Sequence, residues 1–200
     1  TDGDAYVEDC VRFCLEHRID VFVPRRKMLD ISRNMDRFRG IGVRVMAEDY
    51  SRLELLADKA RTYDLLRGRE ELTIPPYRIV NTAREFEQAY LELKETYGQI
   101  CVKFVLDEGG MSFRKISEQE NPWQMLKMYA GNAVPFAKYR EWLKAIEPFD
   151  SLMVMPYLPG KEISVDCLST PQGLIAIPRY KGGARHEEII YDDKILNMAA

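Results

Sequence analysis

Leu152-Met-Val-Met-Pro-Tyr-Leu-Pro-Gly-Lys-Glu-Ile-Ser-Val-Asp-Cys167 opens as an unbroken apolar run, Leu152–Met155, the pattern of a buried strand. Pro156 and Pro159 then stiffen the chain and remove two backbone donors. After Gly160 the pattern changes to strict alternation, with Glu162, Ser164 and Asp166 on one face and Ile163, Val165 and Cys167 on the other. A second strand, Leu174–Lys181, returns across Thr170-Pro-Gln-Gly173, where Pro and Gly occupy favoured turn positions. It places Arg179 and Lys181 on a common face. The acidic and basic ribbons read equally well as cross-strand salt bridges or as the lining of a cleft for ribose hydroxyls and phosphates.

Upstream, Ile100-Cys-Val-Lys-Phe-Val-Leu106 reads as a strand buried on both faces, yet it carries Lys103 at its centre. An unpaired ammonium there is costly to desolvate. Lys103 is therefore expected to meet a carboxylate or a ligand phosphate, or to reach water from a sheet edge. Asp107-Glu-Gly-Gly-Met-Ser112 follows directly. Gly109 and Gly110 allow close backbone approach and an anion nest, and Ser112 offers a hydroxyl. The same stretch also suits a plain hairpin turn, with Phe113–Ile116 as the returning strand.

Further out, residues 4–18 predict an amphipathic helix, Asp20–Pro24 a short strand, 29–39 a helix and Val43–Ala47 another strand. Ser51-Arg-Leu-Glu54 has the form of a capping box opening helical sequence to about Leu66, as one helix or two. This αβαβα order is that of a parallel sheet with crossover helices. Its missing first strand and initiator Met suggest a trimmed start. Gly68 and Pro75-Pro76 mark a boundary. Tyr77–Asn81 is a strand, and Thr82-Ala-Arg-Glu85 a second capping box. The helix it opens carries Phe86, Ala89, Tyr90, Leu93 and Tyr97 on one face and ends at Gly98. Residues 122–147 read as helical, interrupted near Gly131 and Pro135, and a last helix starts near Asp192.

The 200 residues are 46% hydrophobic and 30% charged, ordinary for a globular domain, and the net charge of −3 gives no general attraction to nucleic acid or anionic membrane. Arg25-Arg-Lys27 accordingly reads as a solvated loop. No apolar run approaches the roughly 18 residues of a spanning helix, and no secretory signal opens the chain. Cys10, Cys14, Cys101 and Cys167 lie in apolar patterns and read as reduced core thiols, which fits a cytoplasmic location. His17 is the one further candidate ligand near the first pair, too few for zinc. No P-loop, complete dinucleotide fingerprint, HExxH or GxSxG is present.

The succession of Lys103, the Gly109-Gly110 loop, the Met155–Leu158 exit and the Glu162 hairpin resembles the ATP-grasp superfamily, which includes carbamoyl-phosphate synthase, biotin carboxylase and D-alanine–D-alanine ligase. The resemblance implies an α/β fold with an α+β lid. Residues 1–67 would be a partial, Rossmann-like pre-ATP-grasp domain, 74–151 the lid subdomain, and 152–200 the start of a C-terminal subdomain whose later part is lacking. By resemblance, Lys59 of Asp58-Lys59 reaches the nucleotide phosphates and Lys103 the α-phosphate and adenine edge. Gly109, Gly110 and Ser112 form the loop over the β- and γ-phosphates. The backbone of Met155, Tyr157 and Leu158 meets adenine, and Glu162, less firmly Asp166, the ribose. Arg179 and Lys181 fall near the γ-phosphate and the acyl substrate. The implied cofactors are ATP and Mg²⁺, with the metal ligands expected beyond Ala200, so that this chain alone should not turn over.

The implied partners are a small-molecule carboxylate and an amine, without nucleic acid or membrane; homo-oligomerisation stays open. The nearest subfamily is the carbamoyl-phosphate-synthase-like, stand-alone proteins, some encoded with tellurite-resistance gene clusters. Two other readings stand beside the ligase. One is a non-catalytic nucleotide-binding or scaffold protein on the same fold, suggested by the short acidic phosphate loop. The other is a plain α/β domain in which Lys103 and Glu162 are structural ion partners.

Overall fold

The structure is a computed structural model and describes residues 3–107, 110–118, 133–181 and 188–199. Helix α1 (Gly3–Glu16) buries Val7 and Cys14, the stripe its periodicity predicts. Strand β1 (Val21–Phe22) pairs in parallel with β2 (Arg44–Val45), as a crossover connection requires. The single helix expected over 29–39 is two, α2 (Met28–Arg33) and α3 (Met35–Gly40). They break at Asn34, whose side-chain amide donates to the Asp30 carbonyl at 2.9 Å, and φ there is −109°. Local bonding by Asn competes with the helix ladder in this way. Phe38, Ile31, Val7 and Val43 form the core of this region, with Phe22 stacked on Phe38 at 5.4 Å.

Helices α4 (Tyr50–Ala57) and α5 (Lys59–Leu66) follow. The capping box expected at Ser51 does not form: the helix starts two residues earlier, with Asp49 at the N-cap position and no side-chain cap bond. Asp58 instead caps α5, accepting from the Arg61 N–H at 2.9 Å. That switch of cap residue makes two helices of the sequence up to Leu66.

A five-stranded sheet has the order β3-β7-β4-β5-β6: β3 (Arg78–Val80), β4 (Ile100–Phe104), β5 (Arg114–Ser117), β6 (Ala133–Pro135) and β7 (Leu152–Pro156). All pairs are antiparallel except β5–β6. Every residue of β7 is buried, which explains its continuous apolar run. Helices α6 (Ala83–Tyr97) and α7 (Phe136–Ala145) cover one face. There Phe86, Tyr90, Leu93, Ile100, Val102, Leu152 and Val154 share a core. The capping box at Thr82 forms in full, with both the Thr82 and Glu85 side chains engaged, and Gly98 ends α6 at φ 75°.

Residues 133–135 correct the helical reading of 122–147. Val134 is buried against β5 in an edge strand, a position where Pro135, lacking an N–H, is tolerated, and the helix begins only at Phe136. Residues 119–132, including the interruption at Gly131, lie outside the described part.

The third sheet is antiparallel, β10-β9-β8, from β8 (Ile163–Thr170), β9 (Gly173–Tyr180) and β10 (Glu188–Ile189). Its hairpin closes where expected, the Thr170 hydroxyl donating to the Gly173 carbonyl at 2.8 Å. Helix α8 (Asp193–Ala199) is the last element. Among the described residues no helix is long and apolar enough to cross a membrane.

Candidate nucleotide site

Alternation along β4 sends Ile100, Val102 and Phe104 toward the helices and Cys101, Lys103 and Val105 to the opposite face. Met153 and Met155 of β7 join the second group, with Tyr63, Tyr77, Phe113 and Tyr157 around them. The β4–β5 register sets Lys115 opposite Cys101, hence on this same face. Two lysines thus stand on an apolar, aromatic-rimmed surface.

Lys103 meets no carboxylate among the described residues. Its ammonium donates to the Tyr63 hydroxyl at 2.8 Å and lies 4.9 Å from that ring. Lys115 sits over the Tyr157 ring at 3.9 Å. Lys59, one helical turn before Tyr63 on α5, reaches across to the end of β4 and donates to the carbonyls of Val105 (3.2 Å) and Asp107 (2.9 Å). Its backbone N–H also bonds the Val105 carbonyl, and Asp58 bridges to Leu106. Desolvation lowers the Lys59 pKa from the ordinary lysine value, and the positive charge of Lys103 acts in the same direction, while Asp107 and Asp58 oppose it. Burial pushes the Cys101 thiol up to about 11, against the smaller pull of Lys103 and Lys115. This thiol is therefore inert at neutral pH.

The loop after β4 is closed at its base. The Asp107 carboxylate accepts from the Ser112 N–H (2.9 Å) and hydroxyl (2.6 Å), and the Ser112 oxygen accepts from the Phe104 N–H (2.9 Å). Asp107 thus braces the loop, and Ser112 points into that brace. Gly110 has φ 68°, a left-handed conformation that suits glycine. Gly109 lies outside the described residues.

At the exit of β7, the Tyr157 N–H donates to the Gln99 carbonyl at 2.8 Å, and Pro156 has no N–H. Leu158 is exposed, and its N–H enters no hydrogen bond among the described residues. Of this exit, the Leu158 N–H is therefore the donor left open among the described residues. Met155 is buried, with its side chain in the core beside Cys101.

The hairpin residues form a second group on the separate three-stranded sheet. Lys181 pairs with Glu162 at 2.9 Å, and Arg179 with Asp166 at 3.1 Å. Of the two readings of the ribbons, cross-strand ion pairs are what the structure contains. Among the described residues no group of three or more His, Cys, Asp or Glu could hold a metal ion. Sequence reasoning missed Tyr63 and Lys115. Both had a signal: Tyr63 is four residues after Lys59 on one helix face, and Lys115 alternates correctly on the returning strand.

A family described as "ATP-grasp in the biosynthetic pathway with Ter operon" matches residues 148–200. No curated protein matches the sequence. Among solved structures, D-alanyl-alanine synthetase A from Vibrio cholerae O1 biovar eltor is similar over 90% of this chain and 57% of its own, with 13% identity and a TM-score of 0.58. VanG D-Ala:D-Ser ligase from Enterococcus faecalis is similar over 90% of this chain and 53% of its own, at 17% identity and a TM-score of 0.55. The ATP-grasp ligase PsnB, solved with precursor peptide PsnA2 and AMPPNP, is similar over 100% of this chain and 56% of its own, at 19% identity and a TM-score of 0.50. The chain spans little more than half the length of these structures.

Proposed function

We propose that this chain, whose fold is that of the ATP-grasp superfamily, binds ATP on the Lys103 face of its five-stranded sheet and supplies the nucleotide-binding part of a carboxylate–amine ligase. The observation that carries the reading is Lys103: it is partly buried on an apolar strand, and among the described residues its one hydrogen-bond acceptor is a tyrosine hydroxyl. A cation so placed is stabilised by an anion from outside. Lys59 and Lys115 add charge beside it, and the aromatic rings and Met155 offer the flat apolar contact a base requires. The AMPPNP in the PsnB complex agrees with this choice of ligand.

In this proposal residues 1–67, 74–151 and 152–200 act as the pre-ATP-grasp part, the lid and the opening of the C-terminal part. Lys59 and Lys103 hold phosphates, Gly109, Gly110 and Ser112 border them, and Leu158 with its neighbours Met155 and Tyr157 meets adenine. Glu162 and Asp166 face the ribose, and Arg179 and Lys181 the transferring phosphoryl group. A substrate carboxylate oxygen attacks the γ-phosphorus and ADP departs, giving an acyl phosphate; an amine then attacks the acyl carbon and inorganic phosphate departs. The lysines offset charge on the phosphates, and the aromatic rim excludes water that would hydrolyse the intermediate. The described carboxylates make no cluster fit for magnesium, so no step is assigned to the metal here. A cytoplasmic setting and a small-molecule carboxylate and amine complete the proposal.

A non-catalytic nucleotide-binding role is the second reading. The observation favouring it is that Arg179 and Lys181 are already matched by Asp166 and Glu162. Calorimetric titration with ATP, repeated on Lys103→Ala, tests the nucleotide site: saturable binding weakened by the substitution is expected, and unchanged affinity refutes it. ADP release by a version of the protein extended at both ends, assayed with Mg²⁺ and a panel of carboxylates and amines, separates the two readings, and its absence throughout favours the second.

A further inference from the structure

One cleft belongs to neither group of residues above. It lies between the loop that precedes α2, helix α4 and the end of β4, and its volume is about 870 Å³. Arg25 and Arg26 stand at its basic rim, Leu53 and Leu56 form an apolar wall, and Leu106 with Asp107 closes the far side. Leu56 is 57% exposed and Leu106 68%, so this apolar surface is left uncovered by the described residues. Neither arginine has a carboxylate partner among the described residues. The neighbouring Lys27 has Asp30 at 4.0 Å, and the Asp107 carboxylate is turned to Ser112.

Three properties thus coincide. The guanidinium is a planar fork matched to a carboxylate, and two of them are on offer. The wall behind them is hydrocarbon. The volume is that of pockets for ligands of several rings or a long chain, typically roughly 300–1,000 Å³. A single small amino acid would leave most of it filled with water. The cleft also touches the nucleotide site: Lys59, which holds the Asp107 carbonyl, links its far wall to the lysine group.

We propose that this cleft binds the carboxylate-bearing substrate, and that this substrate is an organic anion with a sizeable apolar body. Its anionic group lies on Arg25 and Arg26, and its body on Leu53, Leu56 and Leu106. The assignment rests on the ligase reading for its catalytic meaning; the binding itself does not. Solvated arginines on a loop account for the charge but not for the exposed leucines that line the same cleft.

The test uses three probes: 4-phenylbutyrate, its uncharged analogue 4-phenyl-1-butanol, and acetate. Each is titrated into the chain by calorimetry and followed through backbone amide NMR shifts. Phenylbutyrate is expected to saturate and to shift the amides of Leu53, Leu56 and Leu106. The alcohol and acetate should each bind at least tenfold more weakly. Arg25→Gln combined with Arg26→Gln, and separately Leu56→Asp, should each weaken phenylbutyrate at least tenfold; all three positions are exposed, so the fold is retained. Equal binding of acid and alcohol, shifts confined to other residues, or parental affinity in the double variant would overturn the proposal. ATP is titrated into the same proteins. Loss of phenylbutyrate with parental ATP affinity in the double variant supports the cleft as a separate subsite, whereas failure of ATP to bind the parent defeats the nucleotide reading alone.

Discussion

Replacing Lys103 by Met separates a ligand-binding lysine from a structural one, because the two roles predict opposite effects on stability and affinity. Methionine keeps an unbranched apolar stem of similar length and removes the charge. The folded protein loses the 2.8 Å bond to the Tyr63 hydroxyl and the contact with its ring. A cation–π contact at a partly exposed site contributes about 0.5–1 kcal/mol, and the removed desolvation cost offsets part of that. Net stability should therefore change by no more than about 1 kcal/mol. Breaking a buried ion pair would instead cost about 3–5 kcal/mol. For affinity, a hydrogen bond to a charged group contributes about 1.5–3 kcal/mol, and each 1.4 kcal/mol is tenfold. Lys103→Met should thus weaken ATP by about 10- to 100-fold. Urea unfolding and ATP calorimetry on the same preparation measure both. A large loss of stability, or an unchanged Kd, refutes the reasoning.

Binding of ATP should take up protons at alkaline pH. The Lys59 pKa is depressed, and an adjacent phosphate favours its charged form, so between the depressed value and 10.5 the free lysine gains a proton when ligand arrives. Calorimetry in two buffers of different ionisation enthalpy reads the sign, and Lys59→Met should abolish the uptake. Thr82→Ala removes the cap of α6 and should cost about 1 kcal/mol by chemical denaturation. Leu152→Ala, at a fully buried site of the interior strand β7, should cost about 2–5 kcal/mol in the same assay. Among thiols, exposed Cys167 should react rapidly with a disulfide reagent at pH 8, and Cys101 should not: with a pKa of about 11, roughly one thiol in a thousand is ionised there, and it is buried. Cys167→Ser should remove the fast phase.

The strands and helices of the sheet were legible because each has one dominant pattern. Leu152–Met155 reads as a buried strand, and every residue of it is buried; Thr82–Glu85 reads as a capping box, and both of its bonds form. Ser51–Glu54 has the same pattern but no box, since Asp49 two residues earlier takes the cap position; the motif cannot say which of two polar residues wins. Val134 was hidden for a different reason: in a parallel edge strand of three residues, pairing partners distant in sequence decide the conformation, and local preference has little weight. At the site, Lys103 announced itself by being charged in an apolar run. Its company did not. That Lys59 spans from α5 to the carbonyls of Val105 and Asp107 depends on how two parts of the chain pack, which no spacing encodes. The ribbon of Glu162, Asp166, Arg179 and Lys181 was visible as alternation, but its partners within the hairpin became definite only with the register.

The Lys59 bridge has a consequence for how tightly a ligand can be held. A lysine side chain loses up to about 2 kcal/mol of rotamer freedom when it is fixed. Here two of its three N–H groups are anchored on backbone carbonyls before any nucleotide arrives. That ordering is therefore settled during folding, and the third N–H stands ready. A phosphate meeting it avoids the immobilisation penalty that a loose surface lysine would impose at each encounter. The same anchor has a mechanical side: anything that draws Lys59 forward tugs on the carbonyl of Asp107, whose carboxylate holds the Ser112 N–H and hydroxyl, so occupancy of the proposed phosphate site would be joined to that brace through a single side chain.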